Sequence, residues 1–272
     1  MTNADDAHAN LFSLEGRVAL VTGGSKGLGY MMSQGLLQAG ARVYITARSA
    51  QECAHSAASL SAFGSCHALP GNITNEAERA RLVASLRDKE GRLDILVNNA
   101  GTSWGDNFET YPDAAFAKVF DINVTALFAM TRDCADLLQA AATDESPARV
   151  VNIGSIDGLH IPTVHRTGTF AYTASKAAVH HLTRHLALEL GERHITVNAV
   201  APGFFPSKMT QSTFEKFGDD LANNSLLKRV GRPSDIAGTV VYLCSRAGAY
   251  THGTVIPVDG GTSINYRHVS DE

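Results

Sequence analysis

Tyr172 and Lys176 stand four residues apart in the segment FAYTASKAAVHHL, whose apolar spacing predicts a helix. Four residues make about one helical turn, so the two side chains should share a face. A phenol beside an ammonium group loses its proton more readily than a phenol in water, which suits Tyr172 to general acid or base chemistry. The same spacing also arises by chance in many helices, so the pair needs support from the rest of the chain.

A glycine-rich segment, TGGSKGLG from Thr22 to Gly29, lies between a short apolar run and a helical pattern. Gly23, Gly27 and Gly29 would let the backbone turn sharply and approach a pyrophosphate, which the free amides at a helix start can bind. The spacing G-x-x-x-G-x-G differs from the usual Rossmann fingerprint. A purely structural turn is the alternative, but the position between strand and helix favours a dinucleotide site.

Two positively charged residues lie near this candidate site: Lys26 within the glycine-rich segment, and Arg48 after the second predicted strand. The second predicted strand ends at Ala47 and Arg48, where a site that prefers NAD usually carries an acid for the ribose 2′-hydroxyl. Arg48 and Lys26 together suit a 2′-phosphate. We therefore predict NADP(H) rather than NAD(H), unless both residues are ordinary surface charges.

Short β-branched runs alternate with amphipathic stretches along the chain. The runs predict buried strands at 17–22, 41–47, 93–98, 148–154, 195–201 and 253–259, with a further short strand near 65–69. Helical patterns lie between them at 27–39, 49–62, 75–89, 112–141, 170–191 and 233–246. This alternation predicts an α/β fold, a Rossmann-like doubly wound domain with a seven-stranded parallel sheet and helices on both faces. Such sheets bind ligands at the carboxyl ends of their strands, where the candidate residues fall.

Bulk composition narrows the classes of function. The chain has 272 residues, of which 44% are apolar and 18% charged, and its net charge of −4 argues against a nucleic-acid binder. No apolar run reaches the roughly 18 residues that a membrane span requires. Four scattered cysteines without a C-x-x-C pair indicate a cytoplasmic setting and no metal site. We expect residues 1–13 to be a flexible tail and residues 14–272 to form one domain.

With these motifs in place, the chain resembles the short-chain dehydrogenase/reductase family over residues 14–262. The segments that carry the resemblance are TGGSKGLG, NNAG, FDINV, NIGSI, YTASK and the Pro202–Gly203 pair, in the order typical of the family. The resemblance implies a catalytic tetrad of Asn123, Ser155, Tyr172 and Lys176. Structural alternatives remain for Ser155, as a turn residue, and for Asn123, as a buried amide that satisfies backbone groups.

The resemblance also implies a mechanism. Tyr172 would donate a proton to a carbonyl oxygen as hydride arrives from NADPH, and Lys176 would favour the phenolate and bond the nicotinamide ribose. Ser155 would donate a hydrogen bond to the carbonyl, and Asn123 would hold a water that links Lys176 to solvent. Besides Tyr172 and Lys176, the expected cofactor contacts are Gly23, Ser25, Lys26, Gly27, Leu28, Gly29, Arg48, Asn72, Ile73, Asn99, Ala100, Gly101, Pro202, Gly203, Phe205 and Ser207.

The sequence departs from the family pattern at two places. Asn72 stands where the family often has Asp near the adenine, and an amide can still bond that base. Tyr172 follows Ser155 by 17 positions, a few more than usual, so the extra chain within 157–169 should reshape the rim of the substrate pocket. This second departure bears on the substrate and leaves the chemistry unchanged.

Several longer segments look most similar to the bacterial NADPH-dependent β-ketoacyl reductases associated with rhamnolipid synthesis. They include the stretch from Leu11 to Gly29, NNAGTSWG, PGFFPSKMT and the GAYTHGTVIPVDGG ending. The region 201–228 lacks strong structure signals, which suits a mobile lid over the pocket. We expect the substrate pocket to include Trp104, Ser155, Phe204 and Met209, whose apolar members favour a substrate with hydrocarbon character.

The leading hypothesis is therefore NADPH-dependent reduction of a ketone, in a β-ketoacyl thioester or a similar apolar molecule. The alternative is an NADP⁺-dependent dehydrogenase that oxidises a secondary alcohol, a hydroxysteroid or a sugar alcohol. A non-catalytic NADP(H) sensor is disfavoured because the tetrad is intact. The family resemblance further implies a homotetramer, or a dimer, built through the long helices at 112–141 and 170–191.

Overall fold

Seven parallel strands form the centre of the molecule. The computed structural model describes residues 10–161, 168–206 and 211–265, and within them the strand order is β3-β2-β1-β4-β5-β6-β7. The strands are β1 Val18–Thr22, β2 Arg42–Thr46, β3 Cys66–Ala68, β4 Ile95–Asn98, β5 Ala148–Ile153, β6 Ile195–Pro202 and β7 Val255–Val258. The predicted seven-stranded parallel sheet is confirmed, and its reversal of strand order lies between β1 and β4.

Helices cover both faces of this sheet, as the sequence predicted. In the described residues they are α1 Gly27–Gln38, α2 Ala50–Leu60, α3 Glu76–Glu90, α4 Asp113–Phe120, α5 Ala126–Asp133, α6 Ala135–Ala141, α7 Phe170–Leu190, α8 Gln211–Asn224 and α9 Pro233–Cys244. The alternation within β1 decides which layer each residue joins: Val21 packs with one core cluster, and Leu20 packs with the other. The first cluster includes residues of α1, α2 and α9, and the second includes residues of α3, α5, α6 and α7.

A row of polar side chains crosses the second of these layers. Asn98 at the end of β4 donates to Asn152 Oδ1 on β5 and to Thr131 Oγ1 on α5, both over 2.9 Å. Asn152 in turn donates to Thr183 Oγ1 on α7 over 3.0 Å. All four residues are buried, so these bonds satisfy groups that water does not reach. The Asn98 side chain thus joins β4 to both β5 and α5.

The single helix predicted over 112–141 is interrupted twice. A π-helical turn, Asp121–Thr125, separates α4 from α5, and Cys134 separates α5 from α6. In the π turn the Ala126 amide bonds the Asp121 carbonyl, one residue further back than in an α-helix. Apolar periodicity continues through both interruptions, which is why the sequence indicates one helix. Turns of this type are frequent at functional sites, and this one carries Asn123.

The region 201–228 contains a helix that the sequence analysis did not predict. Helix α8, Gln211–Asn224, occupies half of this segment. Its Phe214, Phe217 and Leu221 have helical spacing, but three apolar residues in a polar stretch give a weak signal. Leu221 is buried in the structure, so α8 packs on the body through at least this side chain.

The continuous helical stretch Asp113–Asp133 is long and apolar enough, by length and composition, to cross a membrane. Charged residues such as Lys118 interrupt this stretch, which is why the sequence predicts no membrane span here. The stretch packs its apolar residues Val119 and Met130 inside the protein and carries the buried amide of Asn123. Core helices of globular proteins pass the same test of length and composition, and these contacts are those of a core helix.

Candidate active site

Tyr172 and Lys176 lie in the first two turns of α7 and share a face, as their spacing predicted. The Lys176 ammonium is 5.5 Å from the centroid of the Tyr172 ring. Lys176 is buried, and its Nζ donates to the Ile153 carbonyl at the end of β5 over 2.8 Å. Tyr172 is half-buried. The helix thus presents an acid/base pair at the carboxyl end of the central strands.

The pKa values of this pair differ from the expectation that a neighbouring cation acidifies the tyrosine. Burial, together with the negative charge of Asp157, raises the pKa of Tyr172 to about 12. A hydrogen bond with the Ser155 side chain lowers this pKa by a smaller amount. Burial lowers the pKa of Lys176 to about 8, and the Asp157 charge partly opposes this. Desolvation therefore outweighs the attraction of the cation for a phenolate. Tyr172 accordingly holds its proton at neutral pH, the state that a proton donor needs.

Ser155 follows β5 and caps a short 3₁₀ turn, Ile156–Gly158. Its Oγ accepts a hydrogen bond from the Asp157 amide over 3.2 Å. Because the oxygen serves as the acceptor there, the hydroxyl hydrogen is free to point elsewhere. The predicted role of Ser155, donation to a substrate carbonyl, fits this arrangement.

The Ser155 turn rests on the buried imidazole of His180, one helical turn beyond Lys176. A Cβ added at Gly154 would collide with His180 Nε2, and one added at Gly158 would lie 2.8 Å from its Cε1. The two glycines that flank the Ser155 turn therefore allow it to pack directly on α7. Burial lowers the pKa of His180 to about 4, so the ring is neutral at physiological pH.

Asn123 in the π-helical turn ties three segments together. Its Oδ1 accepts from the Thr102 amide over 2.8 Å, and its Nδ2 donates to the Thr102 carbonyl over 3.0 Å. Nδ2 also donates to Ser175 Oγ over 2.9 Å. These bonds match the structural alternative considered for this amide, and they also fix the segment after β4 against α7 next to Lys176.

The glycine loop between β1 and α1 has the backbone that its composition predicted. Gly23 and Gly27 have positive φ angles of 64° and 54°, which residues with a side chain rarely adopt. A Cβ on Gly29 would collide with the Gly23 carbonyl, so this glycine lies directly beneath the loop. Asn99 Nδ2 holds the loop from the neighbouring strand end by donating to the Thr22 carbonyl over 2.9 Å.

A cavity of about 670 Å³ joins the glycine loop to the Tyr172–Lys176 pair. Most of the predicted cofactor residues line it: Gly23, Ser25, Lys26, Gly27, Leu28, Arg48, Asn72, Ile73, Asn99, Ala100, Gly101, Tyr172, Lys176, Pro202, Gly203 and Phe205. Ser155 lines it as well. The volume, the glycine cradle at one end and the acid/base pair at the other fit an extended dinucleotide.

The cationic end of this cavity also contains an acid. Lys26 and Arg48 both line the cavity, as the sequence predicted for a 2′-phosphate site. Glu52 of α2 lines the same end, with its Oε1 3.3 Å from Lys26 Nζ and 3.1 Å from Ser25 Oγ. The local charge is thus mixed, which the sequence analysis did not anticipate.

Six predicted site residues are not among those that line this cavity: Asn123, whose bonds are given above, and five others. Gly29 lies under the loop, and Trp104 is exposed, with its carbonyl accepting from the Tyr111 hydroxyl over 3.3 Å. Phe204 lines a second cavity of about 560 Å³, whose wall also includes Leu221 of α8. Ser207 and Met209 lie outside the described residues. The substrate-pocket assignments of Trp104, Phe204 and Met209 therefore stay predictions.

Three residues near the site were missed by the sequence analysis. Asp157 and His180 carry no motif, because their effect depends on the way the Ser155 turn packs on α7. Glu52 had a detectable signal, since Ser49 and Glu52 have the S-x-x-E spacing of a helix start and the Ser49 side chain indeed accepts from the Glu52 amide.

Comparison with known proteins finds a matching family and relatives that are similar over nearly the whole chain. The profile of the family described as Enoyl-(Acyl carrier protein) reductase matches residues 23–263. The rhamnolipids biosynthesis 3-oxoacyl-(acyl-carrier-protein) reductase of Pseudomonas aeruginosa is 48% identical over 92% of this chain and 97% of its own length. The short-chain dehydrogenase/reductase VdtF of Byssochlamys spectabilis is 33% identical over 94% of this chain and 96% of its own.

A solved structure shows the same relationship in three dimensions. The RhlG/NADP active-site complex of Pseudomonas aeruginosa matches with a TM-score of 0.89 and 47% identity, over 93% of this chain and 99% of that one. The fold expected from the sequence is thereby confirmed by a neighbour that was solved with NADP.

Proposed function

Because this chain belongs to the short-chain dehydrogenase/reductase family, we propose that it uses NADPH to reduce the ketone of a 3-oxoacyl thioester, or of a comparably apolar molecule, to a secondary alcohol. The observation that carries the proposal is the convergence of Ser155, Tyr172 and Lys176 at one end of the cavity whose other end contains Lys26 and Arg48. The 48% identical relative is named for this reaction, and its solved counterpart was determined with NADP.

The protein side chains would supply the proton and the orientation. When bound, reduced nicotinamide supplies the hydride. Tyr172, protonated at neutral pH because burial raises its pKa, donates its proton to the carbonyl oxygen. Ser155 donates a hydrogen bond to the same oxygen and orients the carbonyl.

Lys176 and Asn123 support this pair. Lys176 lies beside the Tyr172 ring and stabilises the phenolate that forms once the proton has left. Asn123 fixes the Thr102 segment and Ser175 around the lysine. We propose that it also helps to hold the water that returns a proton from solvent.

The remaining cofactor contacts follow from the cavity lining. The glycine loop would bind the pyrophosphate, Arg48 and Lys26 the 2′-phosphate, and Asn72 the adenine side. Ala100 and Gly101, with Asn99 beside them, would flank the adenosine side, and Pro202 and Gly203 would line the nicotinamide. Ser207 is proposed for the nicotinamide end on the family resemblance alone.

Four further proposals concern the whole protein. Residues 14–272 would act as one domain, with the segment 201–228 as a lid that includes α8. The substrate would be presented as a thioester. The protein would work in the cytoplasm, as a homotetramer or a dimer. The cytoplasmic setting rests on the four scattered cysteines, which are free in the structure, and the other proposals rest on the family resemblance. The assembly is also supported by the exposed apolar residues Phe116, Phe128 and Leu188 of the long helices.

Initial rates of NADPH and NADH oxidation test the function. The panel contains an acetoacetyl thioester, a medium-chain 3-oxoacyl thioester, a cyclic diketone and a ketosteroid. For the reverse reaction, the corresponding secondary alcohol of each compound is offered with NADP⁺. We expect fastest turnover for NADPH with a thioester. Preferential oxidation of an alcohol would favour the dehydrogenase alternative, and tight NADPH binding without turnover on any member would favour a sensor.

A further inference from the structure

Glu52 places a carboxylate among the groups that would bind the 2′-phosphate of NADPH. Its Oε1 contacts two residues of the glycine loop, Ser25 Oγ at 3.1 Å and Lys26 Nζ at 3.3 Å. Glu52, Ser25, Lys26 and Arg48 line the same end of the cavity. A ligand phosphate at this end would therefore meet one negative and two positive side chains.

Helix α2 fixes this carboxylate beside the loop. Glu52 lies in the first turn of α2, where its amide donates to the capping side chain of Ser49 over 3.2 Å. One turn further, Ser56 Oγ donates to the Ser25 carbonyl over 2.9 Å and joins the helix to the loop a second time. Glu52 therefore has a fixed position where α2 meets the glycine loop.

The Lys26–Glu52 ion pair contributes little to the stability of the fold. The Lys26 side chain is 60% exposed and the Glu52 side chain 40% exposed, so solvent screens their attraction. The ion pair has a larger effect on the binding of a ligand phosphate than on the stability of the fold. A 2′-phosphate has to share Lys26 with Glu52 and also lies close to a like charge, whereas a ribose 2′-hydroxyl can donate a hydrogen bond to a carboxylate.

We propose that Glu52 is a specificity-determining residue that weakens the binding of the 2′-phosphate and so narrows the preference for NADPH over NADH. The inference rests on the proposed use of NADP(H). Arg48 and Lys26 supply the attraction for the phosphate, and Glu52 offsets part of it. The protein would then retain measurable affinity for NADH despite its two cations.

The variant Glu52→Gln tests the proposal. Gln keeps the size of the side chain and is accepted at this helix position, so folding should be preserved. Fluorescence titration with NADPH and NADH, and calorimetry with adenosine 2′,5′-bisphosphate and 5′-AMP, report binding without turnover. We expect affinity for NADPH and the bisphosphate to rise about five- to tenfold, the effect of removing one partly screened charge beside a phosphate, with no gain for NADH or 5′-AMP.

Glu76→Gln is the matched control, because Glu76 is an exposed acid in the first turn of the neighbouring helix α3. It should leave all four affinities unchanged. Weaker NADPH binding by Glu52→Gln would overturn the proposal and show that Glu52 orders Lys26 for the phosphate. Equal binding by wild type and Glu52→Gln would overturn it while leaving the proposed function intact. A wild-type protein that binds neither nucleotide would overturn both.

Discussion

The Lys176 ammonium lies 5.5 Å from the centre of the Tyr172 ring, and burial moves the pKa values of the two groups in opposite directions. The phenol is held in its protonated form, and the ammonium is brought closer to losing its proton. Both shifts follow from the low polarity of the protein around them. The arrangement favours a tyrosine that acts as an acid, which is the direction required for ketone reduction.

Replacing the proton donor should remove turnover and leave the cofactor bound. For Tyr172→Phe we expect kcat/KM for ketone reduction to fall about 10²–10⁴-fold, because general acid catalysis contributes that much. The affinity for NADPH, measured by fluorescence titration, should change little. Tyr250→Phe, at a fully exposed tyrosine, is the control and should retain full activity. A Tyr172→Phe protein with near-normal rates would refute the assigned role.

The buried lysine should cost stability at neutral pH. Its pKa is lowered to about 8 in the folded protein, so below pH 8 folding buries a cation, and that cost disappears as pH rises towards the unfolded value of 10.5. We expect Lys176→Met to raise the free energy of unfolding by about 2–3 kcal/mol at pH 7. The gain should vanish near pH 10.5. Urea unfolding at the two pH values measures it.

An exposed lysine provides the comparison for this experiment. Lys89→Met, near the end of α3, should give no such pH-dependent gain. A Lys176→Met protein that is less stable than wild type at pH 7 would show that the hydrogen bond to the Ile153 carbonyl outweighs the burial of the charge.

The Asp157 carboxylate should control the alkaline limit of activity. Its charge raises the pKa of Tyr172, so Asp157→Asn should lower that pKa. Reduction requires the protonated phenol and is lost as pH rises through the pKa, so the loss should begin at lower pH in the variant. The pH profile of kcat/KM measures the shift. Glu109→Gln, which removes an exposed carboxylate, should leave the pH profile unchanged. A pH profile that does not shift in Asp157→Asn would show that the Asp157 charge does not set the pKa of Tyr172.

Contact between the Ser155 turn and His180 should be visible as coupling between two substitutions. Gly154→Ala places a methyl group against the imidazole and should destabilise the protein by about 1–3 kcal/mol, with a loss of kcat as Ser155 moves. His180→Ala opens space at the same point. The double variant should therefore be more active than Gly154→Ala alone. Additive losses in the double-mutant cycle would contradict a direct contact.

The sheet and most residues that line the cavity beside the glycine loop could be predicted because they depend on local patterns. Runs such as VALVT and VVNI report burial on both faces of a parallel strand, and the glycines at 23 and 27 report a backbone that needs positive φ. Tyr172 and Lys176 share a face through helix geometry alone. Each of these features is encoded within a few consecutive residues.

The features that escaped prediction depend on contacts between distant segments. The opposing pKa shifts of Tyr172 and Lys176 come from burial. The Asp157 charge affects the pKa of both groups only because the Ser155 turn folds against α7. The π-helical turn around Asn123 has no signal in apolar periodicity. Helix α8 escaped because its apolar residues are few.

The buried hydrogen bonds of Asn98 and Asn152 also bear on how the chain reaches its native alignment. A β4 strand displaced by one residue along β5 would turn Asn98 to the opposite face, leaving buried amides unpaired at about 1–3 kcal/mol for each lost partner. Misaligned intermediates are thereby less stable than the correct pairing. Asn99–Gly101 continue from β4 and Ser155 follows β5. The bonds that disfavour misaligned strands therefore also align the proposed cofactor-binding segment with the serine.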